Sequence, residues 1–494
     1  MVMCWQKRDF FLLIILIFVA TNSGAKLVQG HEISAGSKLE LIHRDDLLRN
    51  LQDGVNPVST FQRIKQMLYH DTIRFRAISS RPRLKHGGVS SIRRQAQEKT
   101  GYYQASTNGG SSSGGEMPMN SGADYGTGQY FVHLKVGTPA QKVTLIADTG
   151  SELTWTKCKY RCNGAQCGIG NSRNRRVFRA DDSSTFKTVT CSSSMCKIEL
   201  ANLFSLAQCP SPRDPCAYDY RYLDGSSTIG VFANETVTFS LTNGKKTRLE
   251  NVLVGCSGSS RGQSFEAADG IIGLGYSNHS FAFKAAKRFG GKFSYCLVDH
   301  LSPKNVSSYL IFGSYYETDI SPIKLQYTEL VLGVIPPFYA VNMKGMSIGG
   351  ILLEIPIEVW NVNGVGGVIV DSGSSLTFLT QPAYQPVMDA LKPSLSGYKT
   401  LNLDFGPLEY CFNSTGFDKS LVPRLVFHFA DGAIFEPPVK SYVIDAATGV
   451  KCLGFVNATW PGTSVIGNIM QQNNFWEFDI AKGRLGFASS SCSS

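Results

Sequence analysis

Charge is scarce in this chain, and so are long apolar runs and any pattern among its histidines. Only 17% of the 494 residues are charged, against 43% hydrophobic, which excludes a disordered chain or a coiled coil, since both depend on charged surface. A bilayer-crossing helix needs about twenty consecutive apolar residues; the longest run here, Phe10–Ala20, has eleven. His43 and the other seven histidines show neither metal-ligand nor nucleophile–base spacing, so nothing points to zinc hydrolysis or a serine–histidine pair. Basic charge is also missing where a nucleic acid would need it. Of the net +10, residues 26–120 hold +6 and everything beyond residue 120 only +3. No nucleic-acid partner is expected for the main body.

What the chain does have is length for two or three domains and 49 glycines with 20 prolines, the composition of a strand-rich fold with many tight turns. Lys7 and Arg8 precede the apolar run, and Ser23, Gly24 and Ala25 follow it. That three-part order predicts a signal peptide over residues 1–25, cut after Ala25. The C-terminus, Ser489–Ser494, carries no apolar tail or retention signal, so a soluble, secreted protein without a membrane anchor is expected. Its destination would be the extracellular space, with the vacuole as the alternative.

Cysteine use agrees. Cys4 leaves with the signal, and twelve cysteines remain, an even count that predicts disulfides in an oxidising compartment. Zinc at Cys158, Cys162 and Cys167 is the weaker reading, because their spacing is not the usual paired one. Five sequons mark glycosylation candidates at Asn234, Asn278, Asn305, Asn413 and Asn457.

Along the chain, residues 26–100 are basic and free of cysteine, with Phe61, Ile64, Leu68 and Phe75 at nearly helical spacing. They read as a removable prosegment, with a solvated surface helix as the alternative. A flexible bridge, Asn108-Gly-Gly-Ser-Ser-Ser-Gly-Gly115, follows and offers an accessible place for a cut. Its Gly110-Ser-Ser-Ser-Gly114 matches a nucleophile elbow in letters only, since that motif needs a strand before it and a helix after it. Beyond residue 120 the texture becomes period-two. Tyr130, Val132, Leu134 and Val136 alternate with Phe131, His133 and Lys135, and similar runs recur to the end. The body is predicted to be all-β, behind a prosegment and linker at 26–120.

An internal duplication carries the chemistry. Ile146-Ala-Asp-Thr-Gly-Ser-Glu-Leu-Thr-Trp155 and Ile369-Val-Asp-Ser-Gly-Ser-Ser-Leu-Thr-Phe378 share six of ten positions and place Asp148 and Asp371 223 residues apart. Each copy has an apolar-apolar-glycine element behind it, Gly270-Ile-Ile-Gly-Leu-Gly275 and Val465-Ile466-Gly467. Two such loops brought together set two carboxylates side by side. Like charges that close cannot both ionise, so the pair shares a proton and one member acts as base while the other acts as acid. A water between them can be deprotonated toward a carbonyl while the partner protonates the developing oxyanion. Gly150 and Gly373 permit the tight turn, and Thr149, Ser151, Ser372 and Ser374 supply hydroxyls that orient the carboxylates. The chemistry requires no metal and no cofactor.

At these residues the chain resembles the pepsin-like aspartic proteases and, within them, the nepenthesin-like branch of plants. The likeness covers nearly everything after about residue 125 and reaches Leu39-Glu-Leu-Ile-His-Arg-Asp45. It includes the cysteine-rich stretch Cys158–Cys216 and the ending Ile466-Gly-Asn-Ile-Met-Gln-Gln-Asn473 before Cys492. It implies a bilobal fold with lobes over 121–330 and 331–494, an acid endopeptidase made as a zymogen, a monomer, protein or peptide substrates, and the apoplast as the extracellular destination. Asp148 and Asp371 would be the catalytic pair, and Tyr222-Leu-Asp-Gly-Ser226 the flap, with Tyr222 bonded to Trp155. Implied bridges are Cys158–Cys162, Cys167–Cys256, Cys191–Cys216, Cys196–Cys209, Cys296–Cys492 and Cys411–Cys452. The chain departs from the pattern at Leu223, where flaps often have Gly, at Ser372 for Thr, and at the small Ala147. The alternative is a non-catalytic binder resembling the xylanase inhibitors, which keep this scaffold but lose part of the machinery. Both aspartates, both glycines and the flap tyrosine are present here, which favours the enzyme.

Overall fold

The structure is a computed structural model. It describes residues 115–492 except 122–128, 161–176, 202–205, 210, 223–225, 241–245, 263–264, 266, 300–301, 303–307, 314–323 and 403–406. The expected signal peptide and the amphipathic stretch around Phe61–Phe75 therefore lie outside the described residues.

Strands dominate, as the alternation predicts. Strand β1 (Gly115–Ser121) begins where the Gly/Ser bridge ends, followed by β2 (Tyr130–Val136), β3 (Gln141–Asp148) and β4 (Trp155–Lys159). In β2, Tyr130, Val132, Leu134 and Val136 are buried while His133 and Lys135 are half-exposed. Phe131 is buried too, because its face of the sheet is covered by a second cluster that includes Ile146, Trp155 and Phe265. β2 and β3 pair antiparallel with Phe131 opposite Ile146.

The apolar-glycine element of the first repeat is β5 (Gly270–Gly273). It lies parallel to β3, with Gly273 opposite Asp148, and antiparallel to β4. A strand distant in sequence thus threads between the strand that delivers the aspartate and the strand that leaves it. Glycine is required at that crossing, since a Cβ on Gly273 would stand 2.4 Å from the Glu152 carbonyl oxygen.

β6 (Lys292–Cys296) and β7 (Ser308–Phe312) pair next, and β1 lies antiparallel along β7. The second repeat then reproduces the first. β8 (Val368–Val370) leads into Asp371, β9 (Thr377–Thr380) leaves it, and β10 (Ser464–Ile466) runs parallel to β8 and antiparallel to β9. After the short helix α1 (Asn468–Gln471), β11 (Asn474–Asp479) pairs with β6, and β12 (Arg484–Ser489) pairs with β11. One sheet, β1-β7-β6-β11-β12, therefore joins the two halves. Phe293 stacks flat on Phe478 at 4.8 Å within it, and Tyr339 meets both rings edge-on. Fully burying such an aromatic contributes about 1.5–3 kcal/mol.

Two of the expected boundaries run through strands. β1 crosses residue 120, and the strand Gln326–Val331, which pairs with β12 and with Tyr339–Val341, crosses residue 330.

Four implied disulfides are corrected. The structure bonds Cys158 to Cys256, in place of Cys158–Cys162 and Cys167–Cys256; Cys162 and Cys167 lie outside the described residues. The cause is strand pairing: β4 runs parallel to the strand Lys246–Arg261 with Thr156 opposite Cys256, which brings the two cysteine Cα atoms to 5.1 Å. Cys191–Cys209 and Cys196–Cys216 replace Cys191–Cys216 and Cys196–Cys209. The sulfurs of Cys191, Cys196 and Cys209 lie within 4.8 Å of one another, a cluster tight enough that order in sequence does not fix the partner. Sulfurs held in disulfides offer no thiolate to a metal. Cys411 pairs with Cys452 and Cys296 with Cys492, as the resemblance implies. The Cys296–Cys492 bridge pins the chain's end to β6 across 196 residues. Replacing both cysteines by serine is expected to cost ~2–4 kcal/mol, read as a lower denaturant midpoint; an unchanged midpoint would contradict a stabilising role.

Candidate active site

Asp148 ends β3, and Asp371 follows β8. Both carboxylates are buried, each in a loop that supplies matching donors. The Gly150 N–H donates to Asp148 Oδ1 (2.9 Å) and Ser151 Oγ to Oδ2 (2.6 Å). The Gly373 N–H donates to Asp371 Oδ1 (3.0 Å) and Ser374 Oγ to Oδ2 (2.7 Å). The six-of-ten repeat has become a two-fold relation between hydrogen-bond sets.

The two loops are laced together by the residues beside the aspartates. The Thr149 N–H donates to Ser372 Oγ (3.1 Å), and the Ser372 N–H donates to Thr149 Oγ1 (2.9 Å). Each hydroxyl in turn donates to the carbonyl before the opposite aspartate, Ser372 to Ala147 (3.0 Å) and Thr149 to Val370 (3.5 Å). Serine at 372 therefore keeps every bond the hydroxyl has to make.

Trp155 and Tyr222 meet beside the first loop. Trp155 Nε1 donates to the Tyr222 hydroxyl at 2.5 Å, and Phe265 packs edge-on against both rings. Burial first, and then the Asp148 carboxylate, push the Tyr222 phenol well above its ordinary range, so it stays protonated through acid and neutral pH. The Tyr222 N–H donates to the Ser226 carbonyl (2.8 Å); residues 223–225 between them, with the Leu223 departure, lie outside the described residues. Of the alternating tyrosines, Tyr218 and Tyr220 are packed inside, and Tyr220 donates to Glu152 (3.1 Å).

Sequence reasoning missed a supporting layer. Leu274 N–H holds the Asp148 carbonyl (2.9 Å), Asn468 Nδ2 holds the Ser372 carbonyl (3.0 Å), and Gln471 Nε2 reaches the Asp371 carbonyl (3.3 Å). The only signal was the Asn468 to Gln472 run inside a family-like ending. Among the glycosylation candidates, Asn278, Asn413 and Asn457 are exposed, Asn234 is half-buried within the strand Ser227–Ser240, and Asn305 lies outside the described residues.

Comparison with known proteins completes the picture. Residues 130–314 match the family model described as xylanase inhibitor N-terminal, and residues 338–489 match xylanase inhibitor C-terminal. Aspartyl protease family protein 2 of Arabidopsis thaliana is 36% identical over 379 residues, covering 75% of this chain and 73% of that protein. Aspartic proteinase nepenthesin-1 of Nepenthes gracilis is 31% identical over 373 residues, covering 74% and 79%. The chain belongs to the pepsin-like aspartic proteases, in their nepenthesin-like plant branch.

Membership makes this protease an aspartic-type endopeptidase by class. The fold is shared more widely. Basic 7S globulin from soybean superposes with a TM-score of 0.60 at 20% identity, covering 77% of this chain and 97% of that one. Conglutin gamma from lupine seeds gives 0.61 at 18%, covering 77% and 98%. Those two show the architecture alone. No helix among the described residues is long and apolar enough to cross a membrane.

Proposed function

We propose that this protease is a secreted zymogen whose mature form hydrolyses peptide bonds at acidic pH, with Asp148 and Asp371 as the catalytic dyad. The observation that carries the reading is the matched donor set around the two buried carboxylates, on loops laced together through Thr149 and Ser372. The charged member takes a proton from a water as its oxygen bonds to the scissile carbonyl carbon. The protonated member gives its proton to the carbonyl oxygen, yielding a neutral tetrahedral diol. Collapse of the diol breaks the C–N bond as the protonated carboxyl gives its proton to the leaving nitrogen, while one diol hydroxyl gives its proton to the charged carboxylate, so the dyad again holds one proton. Tyr222 accepts from Trp155, which leaves its own hydrogen to donate toward a substrate under the flap. Tyr222→Phe is expected to lower kcat/KM about tenfold, the loss of roughly one hydrogen bond; steady-state kinetics on a peptide substrate check it, and an unchanged value would remove Tyr222 from the flap role.

Activation follows from charge. The +6 of residues 26–120 would neutralise the cleft near neutral pH, with Lys38 or Arg44 as candidate partners for the dyad. Acid protonates carboxylates, weakens those pairs and frees the cleft. A cut within the Gly/Ser bridge leaves β1 paired with β7. N-terminal sequencing after an acid shift should therefore find the new terminus at or before Gly115, together with a gain in activity. A terminus beyond Ser121, or full activity of the uncut chain at neutral pH, would contradict this route.

The matching family models, described as those of a xylanase inhibitor, favour one rival, a non-catalytic binding protein. It predicts a folded, mature protein that cleaves nothing in acid.

A further inference from the structure

The two aspartate loops match in their donors to the carboxylates but differ in how their backbones are held. In the first loop, the Asp148 carbonyl accepts from a main-chain amide, Leu274 N–H at 2.9 Å. In the second, the chain past Gly467 turns into α1, and the Asp371 carbonyl is met by a side chain. Gln471 Nε2 donates to Asp371 O (3.3 Å) and to Ile466 O (2.8 Å). The Asp371 N–H itself donates to Ile466 O (3.1 Å). One carboxamide therefore bridges the two carbonyls on either side of that bond.

The amide cannot turn over. Its oxygen accepts the hydroxyl hydrogen of Tyr295, on β6 of the joining sheet, and a flipped group would set that oxygen against two carbonyls. Trp476 Nε1, on β11, donates to the Gln471 main-chain carbonyl (2.9 Å). Gln471 is fully buried, and Tyr295 is kept a neutral phenol by burial and by the nearby Asp371 charge.

We propose that Gln471 is a positioning residue for Asp371, doing with a side chain what the Leu274 amide does for Asp148, and that Tyr295 locks its orientation so that the joining sheet fixes the second aspartate. This rests on the dyad reading above. The bond falls on the Asp371 peptide and not on substrate, so it acts on the aim of the carboxylate. Small misplacements of a catalytic group cost between about 10- and 100-fold in rate.

The test uses matured Gln471→Leu and Tyr295→Phe proteins whose active sites are counted by titration with a tight-binding statine-type peptide. The expected result is a kcat per titrated site about 10- to 100-fold lower for Gln471→Leu, a smaller loss for Tyr295→Phe, and KM within about twofold of wild type for both. A merely structural role would lower the melting temperature and the number of titratable sites but leave kcat per site unchanged. That outcome in Gln471→Leu overturns the proposal. Should Gln471→Leu fail to fold, Gln471→Glu, which in acid keeps the acceptor oxygen and one donor hydrogen, and Tyr295→Phe decide it by the same measure. A wild-type protein that cleaves nothing would sink the dyad reading itself, whereas an active wild type beside an unimpaired Gln471→Leu sinks only this inference.

Discussion

Asp148→Asn and Asp371→Asn are each expected to reduce kcat by about 10⁴-fold or more, with the double variant hardly worse than either single one. The non-additivity follows from the proton count. The proposed mechanism needs one carboxylate charged and the other protonated, and an amide can be neither base nor acid, so one substitution ends the exchange. Folding should survive. Asparagine keeps the shape, its oxygen can still accept from the Gly150 or Gly373 N–H, and the Ser151 or Ser374 hydroxyl can rotate to face the new NH₂. The lacing between Thr149 and Ser372 does not involve the carboxylates at all. Circular dichroism and melting temperature should match wild type while peptide cleavage disappears. Substantial residual cleavage by either purified variant would remove that residue from the dyad.

Gly467→Ala is the second large effect, and it falls on stability. A Cβ at 467 would sit 2.1 Å from the Leu376 carbonyl oxygen and 2.8 Å from that of Ser375. Both atoms are main chain in the segment between Asp371 and β9, so no side chain can give way. The same segment receives the Asn468 and Ile469 amides. Relief has to come from moving β10 or the aspartate loop, at a cost of about 3 kcal/mol or more, beyond ordinary overpacking. Gly397→Ala supplies the control, because nothing lies within 4 Å of its added Cβ; there the change should stay within about 0.5 kcal/mol. Chemical denaturation of both variants checks the pair. Equal, small shifts would show that the crossing strands are not packed as described.

The aspartate loops were legible in sequence because their chemistry is local. Donor, acceptor and turn glycine all fall within four consecutive residues, and the loop occurs twice. The apolar-glycine elements were legible as repeats but not as geometry. Why glycine closes each of them appears only when β5 is seen threading between β3 and β4. Gln471 was out of reach, since its meaning depends on Asp371 100 residues away and Tyr295 176 residues away. Four of the six implied disulfides failed for a related reason: Cys158, for one, finds Cys256 through a parallel strand pairing that no local pattern announces. Residues 115–121, Gly-Glu-Met-Pro-Met-Asn-Ser, have little intrinsic strand preference. The free edge of β7 makes them a strand, an instance of pairing overriding propensity, and so the linker ends earlier than composition implied.

The central claim is that two buried carboxylates make this fold an acid peptidase. It is tested most directly by incubating the matured protein with a denatured protein substrate at acidic and at neutral pH, with and without a statine-type transition-state mimic. The account predicts cleavage in acid, little at neutral pH, and complete loss when the mimic is present in stoichiometric amount. A folded, prosegment-free protein that cleaves nothing in acid, or one that cleaves equally with the mimic bound, would contradict it.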